Sequence, residues 1–207
     1  MSNQLTIAQQ LAQTQSGKIQ PHSEIPLQHE HIALCVDCSG SMSCDWDGKP
    51  RSDHAQQGIQ TILSASDHRI TSYTLVRYGS HAETIVSETS NYTKILLLPS
   101  SSTYGGTQIF EAIKHTLQCK PDRIILLSDG ETHQKSHCLE LARQCGANSL
   151  PIDTIAIGEC EIAFMREIAQ LSNGTFHHAT TPKLLQNSFF QLETSNYQAL
   201  ADLRGKI

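Results

Sequence analysis

The 207-residue chain predicts an α/β fold: a doubly wound, mostly parallel sheet of about six strands, with one antiparallel edge strand and helices on both faces. Three observations carry this. The runs His31–Asp37 and Arg123–Ser128 are continuously apolar and end in polar residues, as strands buried on both faces of a parallel sheet do. Stripes of apolar residues at helical spacing separate the strand-like runs. Polar, glycine-bearing loops follow the strands, where an α/β sheet gathers its ligands.

The first 28 residues differ from the rest. Seven are Gln, and Leu5, Ala8, Leu11 and Ala12 recur at helical spacing, which predicts a short amphipathic helix and a linker ending near Pro21 and Pro26. The domain proper is expected over 29–195 and a tail over 196–207. After the first strand, a polar loop runs from Cys38 to Pro50. Ala55, Ile59, Ile62 and Leu63 then mark a helical face. Ile70–Tyr78 is rich in strand formers, and Ala82–Val86 behind the Gly79-Ser80 turn reads as the antiparallel edge hairpin. Ile95–Leu98 is ambiguous, and Ser100–Gly106 is a small-residue loop. Ile109, Phe110, Ile113 and Leu117 give a second helix after Thr107. Beyond the Arg123–Ser128 strand come a helix over His137–Cys145, a strand over Pro151–Ile157, a helix over Ile162–Leu171, a strand over Gly174–Ala179 and a helix over Lys183–Leu192.

Composition narrows the function classes. Fifteen basic residues against twenty acidic ones give a net charge of −5, which argues against nucleic acid or an anionic membrane as partner. No window reaches the ~18 apolar residues of a membrane span. Residues 1–20 have neither a basic start nor an apolar run, which argues against a secretory signal. Seven irregularly spaced Cys then point to reduced thiols in a cytoplasm. Cys35-x-x-Cys38 has no second pair to complete a zinc set, and Cys44 with His54 is the best remaining thiol–imidazole candidate.

Right-handed crossovers place every strand-to-helix loop on one edge of the sheet. Three loops should therefore converge: Asp37-Cys38-Ser39-Gly40-Ser41-Met42, Gly105-Gly106-Thr107 and Ser128-Asp129-Gly130. Asp37 and Asp129 bring two carboxylates, and Ser39, Ser41 and Thr107 three hydroxyls. Neither GxxxxGK[ST] nor GxGxxG is present, so these glycines do not mark a phosphate or dinucleotide cradle. An oxygen donor set suits a hard cation, Mg²⁺ or Mn²⁺. For one loop alone, a turn-capping Asp and a self-bonded Ser would be an equal explanation. Asp45, Asp47 and Asp53 read as a solvated acidic rim. Trp46, in the first loop, and Tyr104, just before the glycine pair, are candidate partner contacts.

This pattern resembles the von Willebrand factor type A domain, whose metal-ion-dependent adhesion site reads DxSxS, then a distant Thr, then a distant Asp. Asp37, Ser39, Ser41, Thr107 and Asp129 match it in order. The resemblance covers about Glu30 to Leu192, including Asp153–Gly158 and Ile168–Gly174, and is nearer to stand-alone bacterial members than to animal adhesion receptors. It implies a Rossmann-like sheet. It implies that Ser39 and Ser41 bind the ion directly, Thr107 directly or through water, and Asp37 and Asp129 mainly through water. A sixth position is left for a Glu or Asp carboxylate of a protein partner. The function implied is non-enzymatic, metal-dependent protein binding, with AAA+ ATPases or stress-response complexes as partner candidates. Two alternatives stand beside it. One is a metal-dependent phosphoester hydrolase, with His133 or His137 as base. The other is a structural module with an empty site.

Overall fold

The computed structural model describes residues 29–67, 70–91, 105–129 and 132–204, with side-chain surroundings through Thr194. The expected amphipathic helix within 1–28, the ambiguous stretch 95–98 and Tyr104 lie outside the described residues. One six-stranded sheet has the order β3-β2-β1-β4-β5-β6. Its strands are β1 (Glu30–Asp37), β2 (Thr71–Tyr78), β3 (Ala82–Thr89), β4 (Arg123–Ser128), β5 (Ile152–Ile157) and β6 (Phe176–Ala179). Only β3 runs antiparallel to its neighbour. A 3₁₀ turn over Gly40–Ser43 follows β1. The described helices are α1 (Arg51–Ala65), α2 (Ile109–Leu117), α3 (Lys135–Ala147), α4 (Ile162–Leu171) and α5 (Pro182–Arg204).

The central strands β1, β4 and β5 are mostly apolar because both their faces are covered. Along β1, Ile32, Leu34 and Val36 point into one core, while Ala33 and Cys35 point into the other. Helices α1 and α5 cover the first face, through Ile59, Ile62 and Leu63 on one and Leu185, Phe189 and Leu192 on the other. Helices α2, α3 and α4 cover the second face, through Ile109, Ile113, Cys138, Ala142, Met165 and Ile168. Each large apolar side chain fully buried in this way contributes roughly 1.5–3 kcal/mol.

Helices α1 and α5 meet very closely at Gly58. A Cβ there would lie 2.3 Å from two carbons of the Phe189 ring. Gly58→Ala is therefore expected to lower the melting midpoint. Overpacking costs about 1–3 kcal/mol, against at most ~1 kcal/mol gained in helix propensity. An unchanged or raised midpoint by differential scanning calorimetry would show that the two helices part freely.

Helix α3 extends two residues beyond its expected range at each end, and two further elements run past their expected C-terminal ends. Strand β3 continues beyond Val86 to Thr89 through polar residues. Irregular register near Leu75 interrupts the ladder there. The Glu88 N–H donates to Thr74 Oγ1 (3.0 Å) and the Ser72 hydroxyl to Glu88 Oε1 (3.4 Å), so side chains hold what the backbone ladder does not. Helix α5 continues past Leu192 to Arg204, so position 195 lies within a helix.

The lower edge of the sheet, at the start of β4, is pinned by a buried ion pair. Arg123 Nε contacts Asp153 Oδ2 at 2.5 Å, and both Arg123 terminal nitrogens donate to the Leu192 carbonyl of α5. Asp153 Oδ1 also accepts from the Thr175 N–H and hydroxyl. Asp153 is thus structural, as its place at the start of a strand suggests. No helix among the described residues is long and apolar enough to cross a membrane.

Candidate metal centre

The strand order reverses between β1 and β4, which are hydrogen-bonded neighbours. Such a switch point opens a crevice beyond the carboxyl ends of the two strands. Asp37 is the last residue of β1 and Asp129 follows the last residue of β4, so the topology sets both carboxylates at that crevice.

Hydrogen bonds join the two loops. The Ser39 N–H donates to Asp37 Oδ1 at 2.8 Å, and the Ser128 hydroxyl donates to Asp37 Oδ2 at 2.8 Å. Ser39 Oγ lies 2.9 Å from Ser41 Oγ. The Ser41 hydroxyl donates to Asp129 Oδ1 at 2.7 Å, and Arg51 Nη1 donates to Asp129 Oδ2 at 2.6 Å. Four of the five residues expected at the site thus form one connected network.

The fifth, Thr107, arrives by backbone ties. The Gly40 N–H donates to the Gly105 carbonyl (3.0 Å), which fastens the glycine loop to the first loop. The Gly106 N–H donates to Ser80 Oγ and the Gln108 N–H to the Gly79 carbonyl. Thr107 is half-buried two residues before α2, and its hydroxyl has no hydrogen-bond partner among the described residues.

Asp37 is 1% exposed and Asp129 is 4% exposed. Burial pushes the Asp37 carboxyl up to about 6; the donors Ser39 and Ser128 pull it back in part, and the Asp129 charge pushes it further up. Two buried carboxylates face a single guanidinium among the described residues, and Asp37 has no cationic partner of its own there. All the converging donors are oxygens. Among the described residues no group of three or more His, Cys, Asp and Glu is placed to hold an ion. The oxygen donor set present fits a hard divalent cation.

Sequence reasoning missed three contributors. Ser128 reads as the last residue of a strand, yet it anchors Asp37. Ser80 reads as a turn residue, yet it holds Gly106. Arg51, just after the polar loop that ends at Pro50, pairs with Asp129 across 78 positions. Ser128 lies in a loop expected at this edge, but no spacing signal marks its bond to Asp37 or the partners of Ser80 and Arg51.

Trp46 is half-buried. Its ring meets His54 edge-on, with centroids 5.6 Å apart, and packs on the α1 side of the core. His54 Nε2 donates to the Trp46 carbonyl at 2.7 Å, so this imidazole, itself buried, serves the loop and makes no pair with the exposed Cys44. Burial pushes the thiols of Cys35 and Cys138 up to about 12, and those of Cys38 and Cys160 up to about 11. Iodoacetamide at pH 8 is thus expected to label Cys44 first in the native protein, read by peptide mass mapping. Early labelling of Cys35 or Cys138 would contradict this packing.

Residues 32–131 match the family model of the von Willebrand factor type A domain. The chain carries that domain, and its six-stranded sheet is the domain's Rossmann-like sheet. Human calcium-activated chloride channel regulator 4 is 26% identical over 172 residues, or 76% of this chain. The match spans only 18% of that human protein's length. Among solved structures, BatB from Bacteroides thetaiotaomicron has a TM-score of 0.70 at 18% identity, covering 82% of this chain and 99% of that one. Proximal thread matrix protein 1 from mussel byssus, solved with a zinc-occupied MIDAS motif, has a TM-score of 0.66 at 16% identity, covering 81% of this chain and 45% of that one. At these identities the structural likeness shows the fold. Domains of this family mediate metal-dependent protein interactions.

Proposed function

We propose that this chain is a non-enzymatic protein-binding module that captures a Glu or Asp side chain of its partner through a divalent cation, Mg²⁺ or Mn²⁺. The observation that carries the reading is the network in which Ser41 hands its proton to Asp129 while Asp37 is held from behind by Ser39 and Ser128. Ser41 donates to Asp129 and accepts from Ser39, so it keeps one lone pair for an ion, while Ser39 keeps both of its own. The Ser39, Ser41 and Thr107 hydroxyls would hold the ion directly, and Asp37 and Asp129 would hold it mainly through water. The bound ion supplies a poorly quenched positive charge and an open position for an incoming carboxylate. The zinc in the mussel protein's MIDAS motif supports a divalent ion at this place in the fold. The open choice between Mg²⁺ and Mn²⁺ rests on the oxygen donor set.

Trp46 and Tyr104 are the proposed flanking contacts. The cytoplasm is the proposed location, and an AAA+ ATPase or a stress-response complex is the proposed kind of partner. His133 and His137, the bases a hydrolase would draw on, are exposed, and His137 packs against Phe110. This supports binding over hydrolysis.

The test is capture of a partner from lysate on the immobilised protein in Mg²⁺ and in EDTA. A partner retained only with metal, and lost when one of its own acidic residues is changed to Ala, is the expected result. Equal capture in EDTA would overturn the reading, and phosphoesterase activity abolished by Asp129→Ala would replace it with the hydrolase.

A further inference from the structure

We propose that Arg51 is a built-in counter-charge that loosens the metal centre's hold on its ion and strengthens the loaded centre's pull on an acidic ligand. This rests on the function just proposed and names how that site is tuned. Asp129 spends one oxygen on Ser41 and the other on Arg51 Nη1, 2.6 Å away. The guanidinium is seated firmly. It packs beside Gly158, just after β5, where a Cβ would stand 3.3 Å from Nη2 and 3.6 Å from Cζ. Gly158 has φ +62, so a residue with no side chain serves both the backbone turn and the guanidinium's seat. Arg51 Nε is buried and has no hydrogen-bond partner among the described residues.

The role of Arg51 follows from the charge balance. Asp37 and Asp129 alone would give the site two negative charges, and a divalent ion would neutralise them. With Arg51 in place, the described groups carry one net negative charge. The loaded site then keeps one net positive charge, which an incoming carboxylate cancels. Arg51 therefore opposes the ion and favours the acidic ligand. Ion and ligand binding become more strongly coupled than two carboxylates alone would make them.

The test measures Mn²⁺ affinity by titration calorimetry for wild type, R51Q and R51M. Both substitutions remove the charge and keep much of the side chain's length. Each titration is run in sodium chloride and in sodium acetate at equal ionic strength, with acetate as the carboxylate probe. The expected result is Mn²⁺ binding about tenfold tighter in the folded variants, as loss of a nearby like charge implies. The acetate-induced gain in Mn²⁺ affinity is expected to be large in wild type and small in the variants. Folding is checked by melting in EDTA, and either variant suffices. Wild-type binding with equal or weaker binding in a folded variant would overturn the role of Arg51 and leave the metal centre standing. Absence of Mn²⁺ binding from wild type and variants alike, in both salts, would overturn the metal centre and this role with it.

Discussion

Asp37→Asn is expected to reverse the order of stability between variant and wild type when metal is added. With Mg²⁺ at about one hundred times its dissociation constant, wild type gains ~2.7 kcal/mol. That is a rise of roughly 5–10 °C in midpoint for a domain of this size. The variant lacks a carboxylate at the centre and should show almost none of that rise. In EDTA the order is the other way. Burial raises the Asp37 carboxyl to about 6 from an ordinary 3.8, so the folded state resists its ionisation. The penalty is absent below the ordinary value, grows as pH rises toward 6 and is complete above it. A neutral Asn escapes it. At pH 7.5 in EDTA the variant should match wild type or exceed it by about 1–3 kcal/mol, and the gap should close as the pH is lowered toward 4. Calorimetric melts at two pH values, with and without Mg²⁺, decide this. A wild-type midpoint indifferent to millimolar Mg²⁺ would contradict the metal centre. A variant that is less stable in EDTA would show that the hydrogen bonds from Ser39 and Ser128 outweigh the burial of charge.

Asp153→Ala is expected to be the most damaging single substitution away from the site. Asp153 is 2% exposed and neutralises Arg123, which is 8% exposed and also ties the Leu192 carbonyl of α5 to the sheet. Removing the acid leaves a buried guanidinium unpaired and two donors of Thr175 without their acceptor. Breaking a buried pair from one side costs about 3–5 kcal/mol. The midpoint should fall by about 10 °C, as each kcal/mol moves it ~2–4 °C. The double variant Arg123→Met with Asp153→Leu should recover much of the loss, because no charge then stays buried alone. Urea denaturation of the two single variants and the double variant measures this. Single variants within ~0.5 kcal/mol of wild type, the range of ordinary surface changes, would show that the pair is solvated.

What the sequence reveals here follows from how local each signal is. The continuous apolar runs of β1 and β4 are visible because strands covered on both faces have no polar side to show. The five candidate ligands are visible because each sits at a strand or helix end. Thr107 and Asp129 could be assigned to one site only because crossover handedness puts such ends on one edge. Strand β3 was underestimated because an edge strand held by Thr74 and Ser72 side chains needs no apolar alternation of its own. Helix α5 runs past the expected end because Glu193–Asn196, four polar residues in a row, interrupt its apolar stripe. The contacts of Arg51 and Ser128 are invisible in sequence because their partners lie 78 and 91 positions away. No periodicity encodes a contact of that span.

The placement of α5 bears on how the protein is made. The segments that build the candidate metal centre are all synthesised by residue 129, but the helix that seals the α1 face begins only at Pro182. At ~5–20 residues per second, several seconds pass between the synthesis of Asp129 and that of Phe189, and Ile59, Ile62 and Leu63 lack their cover throughout. Chains interrupted in that interval would present an apolar face to the crowded surroundings of the ribosome. The domain's most vulnerable moment is therefore set by the order of its elements along the chain.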